Sequence, residues 1–314
     1  MDSEADVRAV LLGGTGAIGG ATAMLLSEAG WRVEVTGRDR SRMPKAMSEA
    51  GVRFHRLERS DARGVERLVG DGADLLVDLV AYTAEDVRAL LPAMSSVQCP
   101  VLISGRAVYV DDAGRHLNGD EPPQFDRPVG EAAPTLAPAP DGTDPFTREG
   151  YGPCKAAAEL TALESGLPVT VVRPSKVHGR WARNARTRTI IDRMRSGERS
   201  IALAQADTID HLTAARNAAA LINTVADRPG SRILNAADPD TPTAEEIVRA
   251  IAAELSWDGR IERVPDGSEQ GRHPWQTPMV LDTTAALELG YEPVGKGVEL
   301  LAEEIRWLVG DSDR

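Results

Sequence analysis

Tyr151 and Lys155 stand four residues apart in the stretch Tyr151-Gly152-Pro153-Cys154-Lys155, a spacing that puts both side chains on one face of a helix. An ammonium beside a phenol favours the phenolate and draws its pKa down from about 10. That makes the tyrosine a usable proton donor and acceptor. The chain has four tyrosines and four lysines (Lys45, Lys155, Lys176 and Lys296), so a chance pair at this spacing is rare. A second set of residues, Gly13-Gly14-Thr15-Gly16-Ala17-Ile18-Gly19, follows the apolar run VRAVLL and opens a helical pattern. A tight glycine turn there lets backbone N–H groups and a helix N-terminus approach a pyrophosphate, and the third glycine lets helix and strand pack closely. A strand before and a helix after are the context this motif requires, so it predicts a dinucleotide site; the alternative is a merely tight structural turn.

The end of the second strand decides which dinucleotide. An acid there accepts from the ribose hydroxyls of NAD, whereas an arginine pairs with the 2′-phosphate of NADP. In Trp31-Arg32-Val33-Glu34-Val35-Thr36-Gly37-Arg38 the acid position holds Gly37, and Arg38 follows it. A charge-assisted arginine–phosphate bond is worth roughly 1.5–3 kcal/mol, so NADP(H) is favoured over NAD(H). The alternative is that Arg38 is a solvated or adenine-stacking charge and Asp39 reaches the ribose of NAD.

These groups need elements to hold them. Short apolar runs alternate with amphipathic segments through the first half of the chain (VRAVLLGG, TAMLLSEAG, WRVEVTG, VRFHRLERSD, ADLLVDLVA, DVRALLPAM, CPVLISG), with LPVTVVRP and SRILNAAD as further strands. That is the pattern of an α/β, doubly wound parallel sheet. From Gly119 to Pro145 seven of 27 residues are proline, which predicts a long loop, read as a lid or site-flanking loop against the alternative of a solvated linker. Beyond Pro174, TPTAEEIVRAIAAEL and LAEEIRWLV have helical spacing, and Thr243 with Glu246 makes a capping box. The division expected is a dinucleotide-binding unit over 1–175, to which 208–237 returns, and a smaller, mostly helical substrate lobe over 176–207 and 238–314.

The chain has 314 residues, 42% apolar and 27% charged, the balance of a folded protein. A net charge of −12 argues against a protein whose main task is gripping nucleic acid or an anionic membrane. No apolar run reaches a membrane span, and the acidic start MDSEADVRAV is unlike a secretory signal. Cys99 and Cys154 have neither disulfide-framework nor metal spacing, and His178, His211 and His273 are singletons. A cytoplasmic location and no metal are expected. Against the overall acidity, residues 173–199 hold nine basic side chains and only Asp192 and Glu198, among them Arg180, Arg183, Arg186 and Arg188. An anionic small-molecule substrate is one reading; a solvated helix face is the other.

Taken in order, Gly13, Gly16 and Gly19, then Tyr151 and Lys155, then Arg173-Pro174-Ser175-Lys176-Val177-His178-Gly179 resemble the glycine motif, YxxxK pair and RPxxVYG-type segment of the extended short-chain dehydrogenase/reductases, the NAD-dependent epimerase/dehydratase group. The resemblance runs over nearly the whole chain, with VYV at 108–110 similar to a further family segment. It implies a Rossmann-type domain, a bound nicotinamide cofactor and hydride transfer, with Tyr151 as acid/base and Lys155 on the nicotinamide ribose. It also implies cofactor contacts from Thr15, Ala17, Ile18, Asp61 (at adenine), Leu79, Val80, Ala81 and Pro174. Substrate contacts are implied for Tyr82, Arg106, Lys176, His178, Arg180 and Arg183, and a homodimer through the helices around 85–95 and 151–165.

Two departures qualify this. Four residues before Tyr109 the family's carbonyl-polarising hydroxyl falls on Gly105; Ser104 is adjacent and takes the catalytic role only if the strand end is bulged or shifted, since neighbours on a strand point to opposite faces. Loss of one oxyanion donor costs on the order of 10²–10³ in rate. Thr83 and Tyr82 are the other hydroxyls at hand. Where sugar-nucleotide members carry an arginine, this chain has Ala206. The principal functional reading is an NAD(P)-dependent oxidoreductase acting on a carbonyl or secondary alcohol. The alternatives are an epimerase or dehydratase that uses its cofactor transiently, and a non-catalytic NAD(P)- or RNA-binding member of the fold.

Overall fold

Alternating apolar runs pair in parallel because each is followed by a helix long enough to carry the chain back across the sheet. The structure is a computed structural model that describes residues 7–311. Its elements are β1 (Arg8–Leu12), α1 (Ala17–Glu28), β2 (Arg32–Gly37), α2 (Lys45–Glu49), β3 (Arg53–Arg56), α3 (Ala62–Val69), β4 (Ala73–Asp78), α4 (Ala84–Met94), β5 (Val97–Ile103), α5 (Arg148–Glu164) and β6 (Thr170–Pro174). They continue as β7 (Lys176–His178), α6 (Arg188–Arg195), β8 (Ser200–Leu203), β9 (Leu212–Ala214), α7 (Ala215–Ala226), β10 (Arg232–Ala236), α8 (Ala244–Glu254), β11 (Arg260–Arg263), α9 (Thr284–Glu288) and α10 (Gly297–Asp311).

The main sheet has seven strands in the order β10-β6-β5-β4-β1-β2-β3, all parallel. Strand order reverses beside β1, the switch point at which open α/β sheets leave a crevice outside the carboxyl ends of their strands. The two faces follow from the period of two along each strand. Ala9, Leu11, Val35, Val77 and Val101 pack under α1 and α7, whereas Val10, Leu12 and Leu76 pack under α3 and α4. Leu102 and Val171 meet Ala158 and Ala162 of α5. A Rossmann-type doubly wound sheet is therefore what the chain forms.

A separate apolar cluster joins Ile190, Ile191 and Met194 of α6, Ile201 and Leu203 of β8, Ile247, Val248 and Ile251 of α8, and Leu301, Ile305 and Leu308 of α10. The capping box of α8 is present, Thr243 and Glu246 each accepting from the other's backbone N–H. β10 returns to the main sheet and pairs with β6. The Pro-rich stretch is fixed to the sheet domain rather than free: Ala139 N–H donates to Pro153 O at 3.0 Å, Asp141 pairs with Arg88 at 2.5 Å, and Gly142 N–H donates to Glu85 Oε1 at 2.9 Å. It thus lies against α4 and the first turns of α5. Among the described residues no helix is long and apolar enough to cross a membrane.

Candidate active site

The glycine loop sits at the carboxyl end of β1. Gly13 has φ +76°, which only glycine adopts without strain, and a Cβ on Gly19 would lie 2.6 Å from the Gly14 Cα. Around Gly16, by contrast, there is nothing within 4 Å of a built Cβ, and no side chain caps the first turn of α1. An uncapped, positively poised helix start facing open space is what a pyrophosphate requires. The neighbouring wall is Val80, whose Cγ1 would be 2.6 Å from a Cβ on Gly13. Val80 is set there by Asp78, whose Oδ1 accepts from its N–H at 3.1 Å while Oδ2 pairs with buried Arg59 at 2.6 Å. Leu79 N–H donates to Leu12 O at 3.2 Å, so Leu79, Val80 and Ala81 all line up beside the loop.

Lys155 is buried and its Nζ donates to Ala81 O at 2.6 Å and Ile103 O at 2.9 Å, at the ends of β4 and β5. It also lies 4.8 Å from the centroid of the Tyr82 ring. Burial pulls its pKa down to about 8, with Asp78 opposing. Tyr151 is 6.3 Å from Tyr82, centroid to centroid, and Tyr82 is 5.1 Å from Phe146, whose side is exposed. The spacing of Tyr151 and Lys155 led to the expectation that the ammonium lowers the phenol's pKa. The structure corrects this: burial and the Tyr82 phenol hold Tyr151 above the ordinary tyrosine value, and the cation that opposes them is Arg186.

Ser104 is a second correction. A side chain begun at Gly105 would place its Cβ 3.8 Å from the Tyr151 hydroxyl and 4.0 Å from Pro174 O, so position 105 faces the tyrosine. Ser104 precedes it on the strand end, and its buried Oγ has no hydrogen-bond partner among the described residues. The register is not shifted by one. Thr83 is taken as the N-cap of α4, in a capping box with Asp86.

Two cations pair with one buried carboxylate, and a third lies within electrostatic range of it. Arg106 Nη2 pairs with Asp210 Oδ1 at 2.6 Å, its Nη1 donates to Ser175 Oγ at 3.2 Å, and Lys176 Nζ pairs with Asp210 Oδ2 at 2.5 Å. Asp210 is fully buried. Arg186, whose Nη1 donates to Val177 O at 3.2 Å, completes the group; its side chain is reached by solvent, and partial desolvation together with Arg106 holds its pKa below the ordinary value. Burial, with Arg106 and Arg186 nearby, likewise brings Lys176 down to about 8 although Asp210 opposes it. Glu304 faces Arg186 from α10 but spends its oxygens on Gly179 N–H and Thr187 Oγ1. Arg106, Lys176 and Arg186 around the single carboxylate of Asp210 therefore leave excess positive charge here in an acidic chain.

Other expected substrate residues lie elsewhere. His178 is buried, with Nε2 3.2 Å from Asp238 Oδ2, and Arg180 stacks 4.9 Å from the Trp181 ring; both line a cavity of about 600 Å³ between α1, α7 and α10, with Met24, Leu25 and Trp307. Arg183 reaches the glycine loop, donating from Nη2 to Thr15 Oγ1 at 3.1 Å. Asp61 caps α3 by accepting from Gly64 N–H at 2.9 Å, and Arg38 is exposed at the end of β2 with no ion pair to a described residue. Ala206 is buried in the α6/α8/α10 cluster. Sequence reasoning missed Asp210, which pairs with Arg106 and Lys176, and Phe146, which packs against Tyr82. Asp210 as the one charged residue other than histidine in TIDHLTAA was the available signal for the first; no signal marked the second.

Residues 9–94, from β1 through α4, match the family model described as NAD dependent epimerase/dehydratase family. No curated protein sequence matches the chain. Among solved structures it is similar to dTDP-glucose 4,6-dehydratase from Bacillus anthracis in complex with NAD, at 17% identity and TM-score 0.73, covering 98% of each chain. It is also similar to UDP-N-acetylglucosamine 4-epimerase from Methanobrevibacter ruminantium, at 16% identity and TM-score 0.75 over 98% of this chain and 99% of that one. UDP-glucose 4-epimerase from Thermotoga maritima has TM-score 0.72 at 18% identity, over 98% of this chain and all of that one. At such identities the likeness is one of fold. The chain has the fold of the extended short-chain dehydrogenase/reductases, and its residues 9–94 carry the sequence pattern of the NAD-dependent epimerase/dehydratase family.

Proposed function

We propose that the protein is a nicotinamide-dinucleotide enzyme that oxidises or reduces a carbinol/carbonyl carbon in a small anionic substrate, with Tyr151 as the acid/base. The observation that carries this reading is the meeting, at the carboxyl ends of β1, β4 and β5, of an uncapped glycine loop, a buried lysine and a tyrosine hydroxyl beside surplus positive charge. The dinucleotide, when bound, supplies or accepts the hydride. Gly13, Gly16, Gly19, Thr15, Ala17 and Ile18 hold its pyrophosphate, Val80 walls it, and Lys155 holds its nicotinamide ribose. NADP(H) is the preferred form, because Arg38 is an exposed cation at the end of β2 with no ion pair to a described residue. In the oxidising direction the phenolate of Tyr151 takes the hydroxyl proton as hydride leaves the carbinol carbon; in reduction the phenol returns that proton to the new alkoxide. Arg186 is placed to favour the phenolate. Arg106, Lys176 and Arg186 bind the substrate's carboxylate or phosphate.

A second reading keeps all of these roles and returns the hydride to the substrate within one turnover, as in an epimerase or dehydratase. The matched family model and the named neighbours support it. The test is incubation of the purified protein with NADPH or NAD⁺ and a panel of UDP-sugars, dTDP-sugars and carboxylate- or phosphate-bearing carbonyl compounds, following both nicotinamide absorbance and product identity. Turnover with stoichiometric change in NADPH fits the first reading, and product with no net change fits the second. In either case Tyr151→Phe is expected to remove turnover while leaving dinucleotide affinity nearly intact. Turnover retained in that variant refutes the assignment.

A further inference from the structure

The segment between β7 and α6 crosses the start of α1, and it is held there at several points. A Cβ on Gly20 of α1 would overlap Trp181 Cε3, so the indole fills the space that this glycine leaves; Trp181 itself has φ +65°, an uncommon conformation for a bulky residue. Glu304 of α10 ties both sides of the segment, accepting from Gly179 N–H at 2.8 Å and from the Thr187 hydroxyl. Between these ties Arg183 Nη2 donates to Thr15 Oγ1 at 3.1 Å. That partner is neutral. Arg173, Arg193 and Arg199 in the same basic stretch each have a carboxylate partner (Glu159, Glu198 and Asp258), but Arg183 forms no ion pair with a described residue.

A cation held over a helix N-terminus is electrostatically misplaced, since that end of the helix is itself positive. Two positive features brought together by a segment that is strained and tied down are reconciled by an anion lying between them. We propose that Arg183 is a ligand of the cofactor's pyrophosphate, closing on it from the side opposite the glycine loop, instead of a substrate residue. This rests on the reading that a dinucleotide occupies the glycine loop.

The experiment is calorimetric titration of the wild-type protein, Arg183→Ala and Arg183→Lys with NADPH, NADH and ADP-ribose, with thermal unfolding of each variant as a control of fold. Arg183 is exposed, so the variants are expected to unfold at the wild-type temperature. Arg183→Ala is expected to weaken all three ligands by roughly ten- to a hundredfold, the worth of a charge-assisted hydrogen bond to phosphate. Arg183→Lys should recover part of that loss, and the difference from wild type should shrink as salt is raised. Unchanged affinity in Arg183→Ala overturns the proposal. So does a loss seen with the dinucleotides but not with ADP-ribose, which keeps the pyrophosphate and lacks the nicotinamide. A wild-type protein that binds none of the three overturns the dinucleotide reading itself, a result distinct from either of these.

Discussion

Asp210 is fully buried and bridges Arg106 at 2.6 Å and Lys176 at 2.5 Å, and its Oδ2 also accepts from Thr277 N–H at 3.2 Å. Asp210→Asn keeps the shape and removes the charge. Breaking a buried ion pair by neutralising one partner costs about 3–5 kcal/mol, because the other charge is left uncompensated. Here two cations lose their partner, and they respond differently. Lys176, with a pKa already down to about 8, can release its proton; Arg106 cannot, so it keeps its share of the cost. The net loss is therefore expected near the lower end, about 3 kcal/mol, or a fall in Tm of about 4–5 °C for a chain of this size. The variant should also gain an anion site in place of the lost carboxylate. Added inorganic phosphate or sulfate at matched ionic strength should raise the Tm of Asp210→Asn more than that of the wild type. Scanning calorimetry with and without 20–50 mM phosphate, roughly the range in which millimolar sites saturate, reads both effects. A variant as stable as the wild type and with the same response to phosphate would refute the view that Asp210 organises this cationic cluster.

Gly105 has extended backbone (φ 177°, ψ 162°) and room for a side chain, so Gly105→Ser should fold normally and put a hydroxyl within reach of the Tyr151 hydroxyl. Its kcat for carbonyl reduction is expected to rise tenfold or more, toward the roughly 10²–10³ that one oxyanion donor supplies; an unchanged kcat at unchanged cofactor affinity would mean another group already polarises the carbonyl. Lys176, brought down to about 8 from 10.5, binds anions as an ammonium only below that pH, so phosphate affinity should fall as pH rises through about 8. Stability should move the other way: a lysine whose folded pKa is depressed lets the unfolded chain hold more protons between about 8 and 10.5, and both Lys176 and Lys155 then favour folding as pH rises over that window. Urea unfolding and phosphate titration at pH 7 and pH 9 test the opposite signs. Arg38→Ala should weaken NADPH by roughly ten- to a hundredfold and leave NADH unchanged by calorimetry, whereas equal effects on both would show that Arg38 does not bind the 2′-phosphate.

The glycine loop and the Tyr151/Lys155 helix were legible in the sequence because each is a local pattern: a turn that only small residues can make, and a four-residue helical spacing. The sheet was legible for the same reason, each strand announcing itself by a short apolar run. What failed were inferences about direction. Whether Ser104 or Gly105 faces Tyr151 is a matter of register at a strand end, and one residue reverses it. The pull of Lys155 on Tyr151 followed from spacing alone, but the ammonium turns inward and directs two of its three N–H donors to the Ala81 and Ile103 carbonyls. The basic stretch after β7 could be recognised by composition, yet its path could not, because no periodicity governs an irregular segment. Only the fold shows that Arg180 turns to a cavity against α1, Arg183 to the glycine loop and Arg186 to the Val177 carbonyl.

The double tie made by Glu304 has a consequence for the order in which the protein matures. Domains are completed in sequence as a chain leaves the ribosome. The last strand of the main sheet, β10, ends at Ala236, so the whole sheet can form while α10 is still unmade. The segment carrying Trp181, Arg183 and Arg186 has no carboxylate to fasten Gly179 and Thr187 until residue 304 is synthesised. A nascent chain that ends before α10 can thereby hold a formed sheet beside an unlatched segment, and the Glu304 ties close only once α10 is made.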